Sequence, residues 1–168
     1  MPVIIRNEAP ADIAAIHRVV EAAFQQSVEA DLVDRLRADG DAVISLVAEN
    51  DGEIVGHVLF SPILLPTMSA PFPALGLAPV SVLPGRQRQG IGGRLIREGL
   101  KQAESRGCRV VFVLGEPEYY SRFGFDPALA EGFVSPYARP YFMALPLDGE
   151  MPAERGRVDY APAFAALG

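Results

Sequence analysis

The segment from residue 74 to residue 115 constrains the fold more than any other part of the chain. It contains an apolar run, ALGLAPVSVL, a glycine-rich turn, GRQRQGIGG, apolar residues at helical spacing in LIREGLKQAESRG, and a β-branched run, RVVFVLG. A strand, a crossover helix and a second strand form a parallel unit with a right-handed connection. The segment therefore predicts two parallel strands joined by one helix.

The segments before this unit predict two helices and a hairpin. PADIAAIHRVVEAAF and SVEADLVDRLRADG repeat apolar residues at helical spacing, after a short strand at residues 3–6. AVISLVAEN and EIVGHVLFS are β-branched runs on either side of Asp51-Gly52, a strong signal for an antiparallel turn. The four prolines from Pro62 to Pro73 predict a long irregular connection, which either lines a pocket or packs on the core.

The C-terminal part is less regular. EPEYYSRFGF predicts a short helical segment that stops at a glycine, and YFMALPL predicts a further strand. A length of 168 residues predicts a single domain, 1–168, with its core at about 3–147. The tail, 148–168, carries no pattern that assigns it.

Composition excludes several classes of protein. The net charge of −6 argues against nucleic-acid binding, and the single cysteine, Cys108, excludes an internal disulfide. His17 and His57 belong to no recognisable ligand spacing, so we expect no metal. The sequence has no apolar run long enough for a membrane span and no signal-peptide pattern, so we expect a cytoplasmic protein without membrane partners.

The glycine turn has the properties of an anion site. Backbone N–H groups at a helix start have no intrahelical acceptor, and the helix dipole adds positive charge there. Glycines at 90, 92 and 93 remove side chains that would keep an anion away, although Gly92 and Gly93 could equally serve close helix packing. Arg86, Arg88 and Arg94 either add charge for phosphates or point to solvent. The glycine spacing fits neither the Walker loop nor the dinucleotide fingerprint.

The pattern Gln87-x-x-Gly90-x-Gly92 resembles the acyl-CoA pyrophosphate loop, (Gln/Arg)-x-x-Gly-x-(Gly/Ala), of the GCN5-related N-acetyltransferase (GNAT) family. The preceding VSVLPG and the later YYSRFGF also resemble motifs of that family. GHVLFSP and PEYYSRFGF are similar to a bacterial branch of uncharacterised acetyltransferases. The resemblance extends in outline over residues 3–147 and is closest over 80–125.

This resemblance implies an α/β (α+β) fold: a mixed, centrally splayed β-sheet flanked by helices, the acyl-CoA N-acyltransferase fold. It implies acetyl-CoA as cosubstrate and direct transfer, in a ternary complex, to a primary amine of a small molecule or peptide. The resemblance is the only basis for expecting a homodimer. The strands at 74–83 and 109–115 would splay apart, with the first pairing its backbone with the pantetheine arm. The implied cofactor-binding residues are Val80, Ser81, Val82, Gln87, Arg88, Gln89, Gly90, Ile91, Gly92 and Gly93.

The resemblance also implies catalytic residues. Tyr120 holds the tyrosine position of the motif and would protonate the departing thiolate, since a thiol pKa lies near 8.5 and a phenol pKa near 10. Its alternative role is packing against the next strand. For the base, no motif residue is available; Glu116, just past the end of VVFVLG and close to the expected splay, is the candidate to take the proton directly or through water, and its alternative role is merely to begin the helix at Pro117. Tyr119, Phe123 and Phe125 are interpreted as core or cofactor-wall residues.

Two functions are alternatives to acetyl transfer. A nucleophilic role for Cys108 is disfavoured, because it lies where a helix ends and not at a helix N-terminus, which would lower its pKa. His57, on a strand, is more readily structural. The second rival is an acyl-CoA-binding sensor that kept the loop and lost catalysis, because the strand before the loop lacks the carboxylate that some family members carry there.

Overall fold

The computed structural model describes residues 2–135 and 141–167. Its strands are β1 (Ile4–Asn7), β2 (Ile44–Asn50), β3 (Glu53–Leu64), β4 (Ala74–Val82), β5 (Val110–Leu114), β6 (Phe133–Val134), β7 (Phe142–Pro146), β8 (Gly156–Arg157) and β9 (Asp159–Tyr160). Its helices are α1 (Ile13–Phe24), α2 (Val28–Ala38), α3 (Ile91–Ser105) and the single turn α4 (Pro117–Tyr120). No helix in these described ranges is both long and apolar enough to cross a membrane.

The main sheet is mixed, as predicted. Its strand order is β1-β2-β3-β4-β5-β7, with β4 and β5 parallel and the other neighbours antiparallel. The parallel pairing runs from Ala74 opposite Val110 to Leu77 opposite Val113 and then stops, while β4 continues to Val82. The predicted splay is therefore present, and it opens a gap in the sheet beyond Leu77.

Helices cover both faces of the sheet. The apolar side of α3 packs on one face with Leu95 and Ile96, and α1 and α2 pack on the other face with residues such as Ile16 and Leu36. The helix α3 lies very close to β3 at Gly99, where an added Cβ would be 2.2 Å from a ring carbon of Phe60. This contact fixes α3 on the sheet and so fixes the position of its N-terminus at the end of β4.

The prediction of an irregular connection from Pro62 is wrong for its first residues. The strand β3 continues through Pro62 to Leu64, with Pro62 opposite Leu75 of β4. On its other side, β3 is paired with β2 only as far as Phe60. A proline is tolerated in a strand where no neighbouring strand needs a hydrogen bond from its N–H. Beyond Phe60, β2 no longer pairs with β3, so Pro62 leaves no acceptor of β2 without a donor.

The tail adds a wall to the fold. The strand β9 pairs with the end of β3, with Tyr160 opposite Ile63, and β6 pairs with β8 in a separate parallel ladder. Beyond β9, a 3-10 helix at Pro162–Leu167 carries Phe164, which is only 5% exposed, into the core beneath α1 and α2. The tail therefore packs closely on the sheet near the gap.

A partly buried polar network joins the loop after β1 to the sheet. Arg37 donates two hydrogen bonds of 2.8 Å to Glu8, and the Ser45 hydroxyl donates a third to the same carboxylate. Since that hydroxyl proton is used, His57 Nε2 donates to Ser45 Oγ at 2.8 Å. Burial lowers the pKa of His57 to about 4. Burial alone would raise the pKa of Glu8, but the bonds from Arg37 and Ser45 outweigh it and hold that pKa below its ordinary value.

Candidate functional site

The loop between β4 and α3 has the geometry of an anion cradle. Arg88 and Gly90 both have left-handed backbones, with φ of 64° and 81°, and the Gln87 side chain donates to the Val82 carbonyl at 3.1 Å. Gly90 is the N-cap of α3, and the first helical bond runs from Arg94 N–H to Gly90 O at 3.1 Å. The amides that begin this fifteen-residue helix therefore have no acceptor within the helix.

A cavity of about 620 Å³, here called the loop cavity, lies in front of these amides. Its lining consists of Val80, Val82, Arg86, Gln87, Arg88, Gly90, Ile91, Gly92, Gly93, Arg97, Tyr119, Tyr120, Arg122 and Phe123. Within the described part of the chain, the lining includes four arginines and no acidic side chain. Positive charge together with unpaired helix amides favours a polyanionic ligand at this place.

Two of these arginines are held against aromatic rings. The guanidinium of Arg97 lies 4.9 Å from the ring centre of Phe123, and that of Arg122 lies 4.7 Å from the ring centre of Tyr119. These cation–π contacts hold positive charge beside the aromatic rings that line the loop cavity. An added Cβ at Gly92 would be 3.1 Å from the Tyr119 hydroxyl, so glycine keeps the space between the helix start and this wall open.

A second cavity of about 490 Å³, here called the tail cavity, lies on the other side of the gap. Its lining consists of Phe24, Glu29, Leu32, Leu77, Ala78, Pro79, Val80, Leu114, Tyr120, Tyr160 and Phe164. Most of these side chains are apolar. The loop cavity and the tail cavity share Val80 and Tyr120, so they meet where β4 and β5 separate.

Tyr120 stands at this junction in an aromatic setting. Its ring makes edge-to-face contacts with Tyr119 at 5.0 Å and Phe125 at 5.9 Å between ring centres. An added Cβ at Gly115 would be 2.4 Å from the Tyr120 ring, so the end of β5 holds the ring closely. Burial, with a smaller effect from Tyr119, raises the pKa of Tyr120 to about 12. The phenol therefore keeps its proton throughout the neutral range.

The structure brings most of the predicted site residues together. Those that line the loop cavity are Val80, Val82, Gln87, Arg88, Gly90, Ile91, Gly92, Gly93 and Tyr120. Ser81 does not line it, because it alternates with Val80 and Val82 and is buried on the other face of β4. Gln89 is exposed and receives a 3.4 Å hydrogen bond from Arg86. Glu116 is the exposed N-cap of α4 and lines neither cavity.

Sequence reasoning did not identify Arg97, Arg122 and Glu29 as site residues. Arg97 follows Gly93 by four residues, so helical periodicity placed it on the same face as the loop glycines. No comparable signal marked Glu29, whose position depends on long-range packing. The structure also gathers His17, Asp31 and Asp34 with ligand atoms within 4.8 Å of one another. Cys108 is buried, donates to Val110 O at 3.2 Å and has a pKa raised by burial, consistent with packing.

The chain is similar to known acetyltransferases. A family model described as an acetyltransferase (GNAT) domain matches residues 4–128. The Escherichia coli K12 protein named uncharacterized N-acetyltransferase YjhQ is 42% identical over 133 residues, which are 77% of this chain and 73% of that protein. The E. coli K12 protein named uncharacterized N-acetyltransferase YhbS is 37% identical over 126 residues, which are 74% of each chain.

Two solved structures are similar over nearly the whole chain. A GNAT family acetyltransferase from Brucella melitensis, crystallised with acetyl-CoA, has a TM-score of 0.82 and 43% identity, and the match covers 97% of this chain and 98% of that one. The E. coli YhbS structure, in complex with CoA, has a TM-score of 0.91 and 33% identity, with coverage of 99% and 93%.

Proposed function

Because the chain belongs to the GNAT acetyltransferase family, we propose that it transfers an acetyl group from acetyl-CoA directly to a primary amine of a small molecule or peptide. The observation that carries this proposal is the meeting of two cavities at Val80 and Tyr120. One cavity is basic and opens on unpaired helix amides, and the other is largely apolar. Two substrates that enter from opposite sides would then meet at one point, which favours direct transfer by proximity.

The residues of the loop cavity fit acetyl-CoA. The amides from Gln87 to Gly93 would bind the diphosphate, and the four arginines would balance its charge. From Ala78 to Val82, the edge of β4 that faces away from β3 has no strand partner within the described residues. We propose that the backbone of Val80 to Val82 binds the pantetheine arm along this edge. The bound cosubstrate supplies the acetyl group as a thioester.

We propose that Tyr120 assists departure of the thiolate. Transfer forms a C–N bond and breaks the C–S bond, so the amine must lose a proton and the sulfur must gain one. With a pKa of about 12, Tyr120 is a weaker acid than a thiol, whose pKa lies near 8.5. We therefore expect Tyr120 to stabilise the sulfur by donating a hydrogen bond, while water completes the proton exchange. The exposed Glu116 lies outside both cavities, so the amine proton also leaves to water in this proposal.

The test combines calorimetry with acetyl-CoA and release of free thiol over a panel of primary amines. We expect binding without an amine and thiol release with at least one amine. Tyr120→Phe should lower kcat by roughly 10²-fold, in the range for loss of one acid or hydrogen-bond donor, and leave acetyl-CoA affinity within a factor of about three. Tyr141→Phe, at a 43% exposed site outside both cavities, is the matched control. Tight binding with no thiol release for any amine would favour the sensor function instead.

A further inference from the structure

The tail cavity contains one carboxylate among its described lining residues, and the proposed reaction uses it neither as acid nor as base. Glu29, in the first turn of α2, is the charged side chain in a lining that is otherwise apolar or aromatic among the described residues. The apolar walls come from four different parts of the chain, represented by Phe24, Pro79, Leu114 and Phe164. A carboxylate in such surroundings attracts a cation, while the walls favour an apolar body.

The Glu29 carboxylate is oriented but not neutralised. Gln26 Nε2 donates to both of its oxygens, at 3.0 and 3.1 Å, and so fixes its direction from the turn between α1 and α2. None of the ion pairs among residues 2–135 and 141–167 includes Glu29. Among these residues the carboxylate therefore has a neutral amide as its donor and no cationic partner, which leaves a cationic ligand to fill that place.

Glu29 and Tyr120 reach the tail cavity from opposite layers of the fold. Glu29 belongs to α2, whose apolar side, including Leu32, packs on the same face of the sheet as Phe164. Tyr120 packs with the core on the α3 face. A ligand in the tail cavity that contacts both residues must therefore extend through the gap between β4 and β5.

This arrangement distinguishes two positions for positive charge in the acceptor. The reacting amine must be neutral to attack, and an adjacent carboxylate would stabilise its protonated form and raise its pKa. The reacting amine is therefore better placed at Val80 and Tyr120, away from Glu29. Resting on the proposed function, we propose that the acceptor is an amine with a second cationic group across an apolar spacer, and that Glu29 binds this second group.

The test compares diamines with monoamines of equal length, diaminobutane and diaminohexane against butylamine and hexylamine, by thiol release from acetyl-CoA. A charge-assisted hydrogen bond in a partly exposed site corresponds to roughly a tenfold difference, so we expect a diamine kcat/KM about tenfold above that of the matched monoamine. Glu29→Gln should reduce this ratio to about one. Asp31→Asn, which removes the same charge from the same helix turn outside the tail cavity, should preserve it.

The outcomes separate this inference from the proposed function. Equal kcat/KM for the matched amines in the wild type, or a diamine preference that survives Glu29→Gln, would overturn the role of Glu29 and leave the acetyltransferase proposal standing. Acetyl-CoA binding without transfer to any amine would overturn both. A Gln26→Leu variant gives a second readout, because loss of the orienting amide should reduce the diamine preference without removing a charge.

Discussion

Replacement of Gly99 by alanine tests how closely α3 is seated on the sheet. In an ordinary helix interior, Gly→Ala is stabilising by about 1 kcal/mol. Here the new Cβ would lie 2.2, 2.6 and 3.2 Å from ring atoms of Phe60, which is fully buried on β3. Overpacking of this kind costs roughly 1–3 kcal/mol, and the severe overlap places Gly99→Ala at the upper part of that range. We expect a net loss of about 1–2 kcal/mol.

Thermal and urea unfolding of the Gly99→Ala variant measure this effect, with a fall in Tm of roughly 3–6 °C for a chain of this size. Gly93→Ala is the matched control in the same helix, because its Cβ would meet the flexible end of Arg97 at 3.2 Å and no backbone. We expect Gly93→Ala to retain or slightly gain stability. An increase in stability for Gly99→Ala equal to that for Gly93→Ala would refute the close contact with Phe60.

Three further predictions concern the loop, the polar network and the shared tyrosine. Gly90→Glu should weaken acetyl-CoA affinity by about tenfold or more, because the new carboxylate repels the diphosphate and any side chain at this left-handed position costs about 1 kcal/mol. Gly90→Ala has open space around its Cβ and adds no charge, so it should lose only the affinity that corresponds to the backbone cost. Equal affinities of the wild type and Gly90→Glu, measured by calorimetry, would contradict the anion cradle. Below pH 6.5 the unfolded chain protonates His57 while the folded chain does not until about pH 4, so the free energy of unfolding should fall with decreasing pH across this window, by up to roughly 3 kcal/mol. Urea titrations from pH 7 to 5 check this, and His57→Gln should flatten the slope; an unchanged slope in that variant would contradict the buried state of His57. Since the pKa of Tyr120 is about 12, its phenol stays protonated between pH 8 and 10, and kcat should not decline over that range. A decline of kcat with a midpoint near pH 10, present in the wild type and absent in Tyr120→Phe, would contradict the buried state of Tyr120.

Local patterns in the sequence predicted the elements around the loop cavity well. The parallel pair, the helix α3 and the glycine turn follow one another within about forty residues, and each depends on neighbours in the chain. The unpaired amides at Gly90–Gly93 follow from the helix start alone. Gly99 shows the limit of this reasoning, because only the contact with Phe60, far away in sequence, explains a glycine in the helix interior.

The tail cavity could not be predicted from the sequence because distant segments form it. Glu29 and Phe164 meet in the tail cavity although well over one hundred residues separate them, and neither belongs to a motif. The pairing of β9 with the end of β3 was equally hidden, since a two-residue strand has no periodicity to detect. Pro62 misled the strand prediction because the end of β2, which makes the proline acceptable, is a property of the assembled sheet.

The two cavities are formed largely by different parts of the chain, and this has a consequence for how the protein can be altered. The tail that supplies Tyr160 and Phe164 lies beyond residue 128, where the family match ends, whereas the loop glycines and Tyr120 lie inside it. Chimaeras that exchange the segment after residue 147 with that of a relative would therefore change the walls of the tail cavity at Tyr160 and Phe164, while the residues that line the loop cavity remain native. Under the proposed function, such an exchange should change which amines fit beside Tyr160 and Phe164, while Glu29 and Tyr120 keep their places in the cavity.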